Sequence, residues 1–196
     1  MFRIICVTNR KLCAGDFFAR LAEICEGGAD YVILREKDLN AEEYAKLTES
    51  ALAVCGKRLV LHGPSALPLL RRVPRVHLPL SVFESSPEAR ERAELLGVSV
   101  HSPEEAKRAE SLGADYVTAG HIFDTSCKSG VPGRGLGFLR ETAASVRIPV
   151  YAIGGISVGN AAAVREAGAA GACVMSGLMS CERPKDAISE LRRAVC

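Results

Sequence analysis

Eight strand-like runs, each followed by a helix-like one, succeed one another along this 196-residue chain without a break. The strands are predicted at 3–8, 30–35, 58–62, 75–78, 98–101, 115–119, 149–153 and 171–175. The helices are predicted at 16–27, 40–55, 64–72, 87–96, 103–112, 136–146, 157–167 and 184–195. Strict alternation of this kind asks for a parallel sheet with helical crossovers. Eight units predict one α/β domain over 1–196, a compact (β/α)8 TIM barrel. A doubly wound sheet of six or seven strands is the rival.

Local signals punctuate the pattern. Ser102-Pro103-Glu104-Glu105 and Asn40-Ala41-Glu42-Glu43 read as capped helix starts, and Ser86-Pro87-Glu88 is similar. Gly27, Gly97, Gly113 and Gly168 read as helix ends. Gly28-Ala-Asp-Tyr-Val32 recurs as Gly113-Ala-Asp-Tyr-Val117, each a helix end leading into a strand.

Composition narrows the class. The net charge is +2 and the cations do not cluster, so there is no electrostatic case for nucleic acid. No apolar run is long enough to span a membrane. The first residues, Met-Phe-Arg-Ile-Ile-Cys-Val-Thr, are too short in their apolar part for a signal peptide and read as a strand. Eight cysteines without any Cys-x-x-Cys spacing read as small buried hydrophobes in a reducing compartment, so a cytoplasmic location is expected. The same spacing gives no zinc site.

Barrels do their chemistry at the C-terminal ends of their strands. All four histidines map there: His62, His77, His101 and His121. Each alone reads equally as a satisfied structural histidine. They form no His-x-His pair and few carboxylates accompany them, which argues against a metal. Arg35 and Lys37 end the second strand and, being two apart, share a face; they read as anion-binding groups or as a solvated cluster. Gly154-Gly155 and Ser176-Gly177 follow strands seven and eight, where barrels of this class bind phosphate, although tight turns need glycine anyway. The longest connection, Gly120-His-Ile-Phe-Asp-Thr-Ser-Cys-Lys-Ser-Gly-Val-Pro-Gly-Arg-Gly135, carries His121, Asp124, Thr125, Cys127 and Lys128. Loops of this length are usually functional or disordered.

Taken together, Leu34-Arg-Glu-Lys37, Gly120 to Lys128, Ala152-Ile-Gly-Gly-Ile156 and Val174-Met-Ser-Gly177 resemble the thiamine phosphate synthase superfamily over essentially the whole chain. Its synthase branch joins a pyrimidine pyrophosphate to a thiazole phosphate with Mg²⁺. It typically carries Asn-Asp-Arg after strand three and an acidic turn after strand four. Here those places read His62-Gly-Pro-Ser65 and Leu78-Pro-Leu-Ser81. Gly120-His121, Thr125-Ser-Cys-Lys128 and Gly133-Arg-Gly135 are more similar to the TenI-type thiazole tautomerase branch.

The resemblance therefore implies an isomerase that aromatises a carboxythiazole phosphate by proton transfer, with no redox cofactor or metal. It implies His121 as the catalytic acid/base, a role histidine suits near neutral pH. It implies Arg35, Lys37, Lys128 and Thr125 around the substrate, and Gly154, Gly155, Ser176 and Gly177 at its phosphate. The expected partner is a phosphorylated thiazole, with neither nucleic acid nor membrane, and the family often forms homodimers. The alternatives are the synthase reaction itself and a catalytically idle barrel that binds a phosphorylated ligand. Asp124 is expected to cap a turn in preference to orienting His121.

Overall fold

The computed structural model describes residues 1–125 and 130–196. Its eight parallel strands close in sequence order into a barrel. They are β1 (Arg3–Val7), β2 (Tyr31–Leu34), β3 (Leu59–His62), β4 (Arg75–Pro79), β5 (Leu95–Val100), β6 (Tyr116–Gly120), β7 (Val150–Ile153) and β8 (Gly171–Val174). The ring closes where β1 pairs with β8, in the register Arg3↔Gly171 and Cys6↔Val174.

The outer layer is α1 (Phe17–Glu26), α2 (Ala41–Cys55), α3 (Leu80–Glu84), α4 (Glu88–Arg92), α5 (Pro103–Ser111), α6 (Gly135–Ser145), α7 (Ala161–Glu166), α8 (Ser176–Met179) and α9 (Pro184–Ala194). No helix among the described residues is long and apolar enough to cross a membrane.

The capping chemistry read from sequence is largely in place. Asn40 and Glu43 form a reciprocal capping box on α2, at 3.0 Å in each direction. The Ser102 hydroxyl accepts from the Glu105 amide ahead of Pro103 at the start of α5. Pro87 precedes α4 without a side-chain cap.

Side chains on a strand alternate between two surroundings, and the core divides accordingly. Ile4, Cys6, Val32, Leu34, Leu59 and Leu61 point outward and pack under the helices. Ile5, Val7, Ile33, Val60, Tyr116, Tyr151 and Cys173 fill the barrel itself. Cys6, Cys25, Cys55 and Cys173 are buried free thiols. Burial pushes Cys173 up to about 12, so it behaves as a small hydrophobe.

Three expectations are corrected. The helix predicted over 87–96 stops at Arg92, and Leu95 begins β5 by pairing with Arg75 of β4. Ala-Glu-Leu-Leu has good helical propensity, but the edge of β4 needs a partner, and pairing overrides propensity. Gly97 is accordingly no helix end. It lies inside β5 with the Tyr116 ring against it, so close that a Cβ would overlap the ring. The helix predicted over 64–72 is a 3₁₀ turn, Pro64–Leu69, with Pro68 inside it.

Gly97→Ala therefore forces the Tyr116 ring out of its place. It should lower unfolding free energy by about 1–3 kcal/mol. Gly137→Ala on the exposed face of α6, where a Cβ meets nothing within 4 Å, should instead raise it by about 0.5–1 kcal/mol. Urea melts of the two variants read both signs, and equal stabilities would overturn the packing argument.

Candidate active site at the barrel mouth

Parity carries the strand ends into one place. Ile33 fills the barrel, and two residues on, then two more, Arg35 and Lys37 line the cavity at the strands' C-terminal ends. That cavity has a volume of about 390 Å³. Its walls include His62, His77, Ser99, His101, Thr118, His121, Thr125, Gly154, Gly155 and Ser176. The structure thus brings most of the sequence-derived site residues around one space. Gly177 sits just behind it as the second residue of α8. Lys128 and Cys127 lie outside the described residues.

The turn after β2 is fixed by the residue between the two cations. Glu36 is buried and accepts from the Thr8 hydroxyl (2.6 Å), the Arg10 amide (3.0 Å) and the Arg10 guanidinium (3.2 Å). The Thr8 hydroxyl in turn accepts from the Arg35 amide at 2.9 Å. Glu36 therefore faces away from the cavity and holds the backbone that presents Arg35 and Lys37 to it. The Arg35 guanidinium itself makes no hydrogen bond or ion pair among the described residues.

Below the mouth, sequence reading missed a buried polar layer. With the His77 proton on Nε2, the Tyr116 hydroxyl donates to Nδ1 (3.1 Å) and Nε2 donates to the Ser99 hydroxyl (2.8 Å). The Thr118 hydroxyl lies 3.2 Å from the same nitrogen. Burial, then the neighbouring His62, holds His77 well below the usual histidine range. Only the inward parity of Ser99, Tyr116 and Thr118, shared with His77, could have disclosed this layer in advance.

His62 stacks on His77, with ring centroids 5.8 Å apart and planes at 18°. Its backbone amide donates to the Tyr44 hydroxyl at 2.8 Å. Burial, followed by Arg35 and Lys37, pushes the His62 imidazole down to about 4. His62 is thus neutral at physiological pH, and the positive charge on this wall comes from Arg35 and Lys37.

On the opposite side the ends of β6 and β7 touch. A Cβ on Gly120 would overlap the Ile153 side chain, and one on Gly154 would overlap His121 and stand 2.8 Å from its Cα. Gly154 and Gly155 adopt φ of 102° and 67°, which glycine alone takes readily. This approach seats His121 against the glycine turn.

His121 is buried, and its Nε2 lies 3.0 Å from the Val131 carbonyl, which makes Nε2 the protonated nitrogen. Its Nδ1 is then an acceptor, buried and without a partner among the described residues. The return leg of the connection is tied down. The Gly133 amide donates to Asp124 (2.7 Å), the Arg134 amide to the His121 carbonyl (3.0 Å), and the Gly135 amide to the Ile122 carbonyl (2.9 Å). Asp124 therefore closes a turn. His101 accepts a guanidinium hydrogen bond from Arg134 on its carbonyl and lies 3.2 Å by Nδ1 from the Gly120 carbonyl.

A model of the family described as thiamine monophosphate synthase matches residues 4–178. The chain belongs to this family. A thiamine-phosphate synthase of Fusobacterium nucleatum is 33% identical, with 96% of this chain and 95% of the relative covered. One of Desulfitobacterium hafniense is 36% identical, with coverages of 93% and 92%. Among solved structures, a thiamine phosphate pyrophosphorylase from Pyrococcus furiosus superposes with a TM-score of 0.81 at 30% identity, covering 99% of this chain and 95% of that one. A 3-hexulose-6-phosphate synthase shares the fold alone, at a TM-score of 0.73 and 19% identity.

These relatives correct the expected isomerase. Their names are those of transferases, and their similarity to this chain runs across the whole barrel. The tautomerase reading rested on a few residues of one connection and on the absence of the synthase branch's motifs at His62-Gly-Pro-Ser65 and Leu78-Pro-Leu-Ser81. Some of these have structural work in the fold: His121 Nε2 is engaged with Val131, and Gly133-Arg134-Gly135 closes the connection.

The family resemblance also implies Mg²⁺, which requires hard oxygen ligands. Neither a carboxylate nor any group of three potential metal ligands is found at this mouth among the described residues. Glu36 and Asp38 are engaged by Arg10, and Asp124 by the Gly133 amide. The residues present do not fit a protein-held Mg²⁺.

The low His62 value has a consequence for acid stability. An unfolded histidine titrates near 6.5, so between there and about 4 the unfolded chain binds the additional proton. Stability should be complete above that window and fall as pH drops through it. This group contributes roughly 1–3 kcal/mol of the loss. Urea melts at several pH values should show His62→Gln losing less stability on acidification than the parent. An unchanged slope would show that His62 is not held neutral.

Proposed function

We propose that this chain performs the coupling named for its relatives: the ring nitrogen of a thiazole carrying a phosphate attacks the methylene carbon of a pyrimidine methyl pyrophosphate. One N–C bond forms and one C–O bond breaks. The bonding pair of the C–O bond leaves with pyrophosphate, and the new ring nitrogen becomes cationic.

The observation that carries this reading is that one cavity offers two separate anion-receptive stretches. The first is the wall at Arg35 and Lys37. The second is the pair of turns at Gly154-Gly155 and Ser176-Gly177, where backbone amides can approach an anion closely. Two substrates that each carry a phosphate-type group need two such places. A carboxythiazole phosphate would also bring two anionic groups, so it is the names of the relatives, added to this geometry, that favour coupling over isomerisation.

Arg35 suits the departing pyrophosphate, because a guanidinium can meet two of its oxygens at once. Lys37 adds a point charge beside it, and Thr125 lines the same cavity. The apolar wall of Val7, Ile33, Ile153 and Ile156 suits two flat heterocycles and keeps water away from the electrophilic carbon. His121 lines the cavity wall. Its work is positioning, since the coupling as written transfers no proton at carbon.

Incubating the protein with the pyrimidine pyrophosphate and the thiazole phosphate should yield thiamine phosphate and pyrophosphate in equal amounts. Arg35→Ala should lower kcat/KM by about a hundredfold or more, the loss of a charge-assisted bidentate contact that strengthens as charge develops on the leaving group. Binding of either substrate with no product would instead identify an idle barrel and end the proposal.

A further inference from the structure

His62 ends β3 and lines the cavity close to Arg35 and Lys37, yet neither of its ring nitrogens has a hydrogen-bond partner among the described residues. The histidine beneath it is in the contrary state. One nitrogen of His77 is taken by the Tyr116 hydroxyl at 3.1 Å and the other by the Ser99 hydroxyl at 2.8 Å. His77 is left as a platform, and His62 lies on it with the ring planes 18° apart. The backbone is pinned as well. The Tyr44 hydroxyl accepts from the His62 amide and donates to the Leu34 carbonyl, each at 2.8 Å, which ties the end of β3 to the end of β2. A ring that is stacked, anchored and uncommitted at its edge is preorganised for a ligand.

The edge has a definite chemistry. Burial and the two nearby cations keep the ring neutral, so it carries one N–H and one lone-pair nitrogen. The lone pair matters because acceptors are scarce on this wall. Arg35 and Lys37 only donate, and no carboxylate lines the cavity among the described residues.

We infer that His62 decides which heterocycle the mouth accepts, by taking a hydrogen bond from the exocyclic amino group of an aminopyrimidine. The inference rests on the coupling proposed above, whose product contains a 4-aminopyrimidine. The pyrimidine is chosen over the thiazole by position and by chemistry. It is the ring joined to the pyrophosphate, and His62 stands near Arg35, the side chain given to that group. The thiazole ring has no N–H to donate. A pyrimidine without the amino group leaves the His62 lone pair unpaired in a half-buried place, and affinity falls accordingly. The role is selection, since no bond made or broken involves the imidazole.

The test is a cycle of two ligands and two proteins, read by calorimetric titration in the absence of the thiazole. The ligands are the 4-aminopyrimidine methyl pyrophosphate and its analogue with hydrogen in place of the amino group. The parent should bind the amino ligand about tenfold more tightly, the scale of one hydrogen bond in a partly desolvated site. His62→Phe keeps a flat ring on His77 but removes the nitrogens, and it should bind both ligands alike. His62→Leu repeats the measurement with a smaller side chain should the phenyl ring unsettle the fold. Affinity for the thiazole phosphate should stay within about twofold of the parent in either variant. A parent that does not distinguish the ligands, variants that distinguish them as the parent does, or an equal loss of thiazole binding would overturn the inference. Amino-dependent binding through His62 without thiamine phosphate formation would overturn the coupling reading alone. Thiamine phosphate formation with binding indifferent to the amino group would overturn this inference alone.

Discussion

A strand in a closed barrel can show only every second residue to the barrel axis, and the placement of functional groups here descends from that constraint. Ile33, Arg35 and Lys37 are one series on β2 and its extension, and Tyr116, Thr118 and Gly120 are one series on β6. A slip of one residue in β2 would send Arg35 under the helices and bring Glu36 to the mouth, exchanging a cation for an anion. What prevents the slip is the outward set, Val32 and Leu34, which is completely buried in the outer core. Burial of two such side chains is worth roughly 3–6 kcal/mol, more than most single polar contacts supply. The electrostatics of the site is thus secured by hydrophobic side chains that never meet the substrate.

The interior of the barrel changes character along its axis. At the lower level Tyr116, Tyr151, Ile5 and Cys173 pack as an apolar layer. Above it the His77–Ser99–Thr118 layer is polar but internally satisfied, with Tyr116 supplying one hydroxyl upward. Above that stand two groups without a hydrogen-bonding partner among the described residues: the Arg35 guanidinium and His121 Nδ1. A buried polar atom is costly when unpaired, so His121 Nδ1 at this end is informative. The satisfied layer gives the mouth a rigid floor. The unsatisfied groups above it mark where a ligand completes the hydrogen bonding.

The barrel was legible in the sequence because its evidence is redundant. Eight βα units, capped helix starts at Asn40 and Ser102, and paired glycine signals all point the same way. What was misread was local. Ala93–Leu96 looked helical because propensity is a property of a segment, whereas the pairing of Leu95 with Arg75 depends on a strand 20 residues earlier. Gly97 looked like a helix stop because glycine ends helices, yet its reason for being small is the Tyr116 ring, which only the folded barrel brings against it. The site was legible to the extent that it follows the C-terminal ends of strands. The Ser99–His77–Thr118 layer escaped because none of its members is unusual alone and their meeting requires three adjacent strands.

The function shows how far a short motif can be trusted. Gly120-His121 directs attention to a histidine and so to proton transfer, and the imidazole chemistry behind that step is sound. The fold, however, gives the same two residues sufficient structural reasons. Gly120 is small because Ile153 of β7 lies against it, and His121 Nε2 is committed to the Val131 carbonyl, which fastens the returning chain over the mouth. A residue with a structural use in the fold carries less weight as a mark of chemistry. Arg35 stands in the contrary position. Among the described residues nothing pairs with this guanidinium, which a locked turn holds at the mouth, so its use is sought in what binds there. Weighed this way, the second strand says more about what this protein does than the histidine of the sixth.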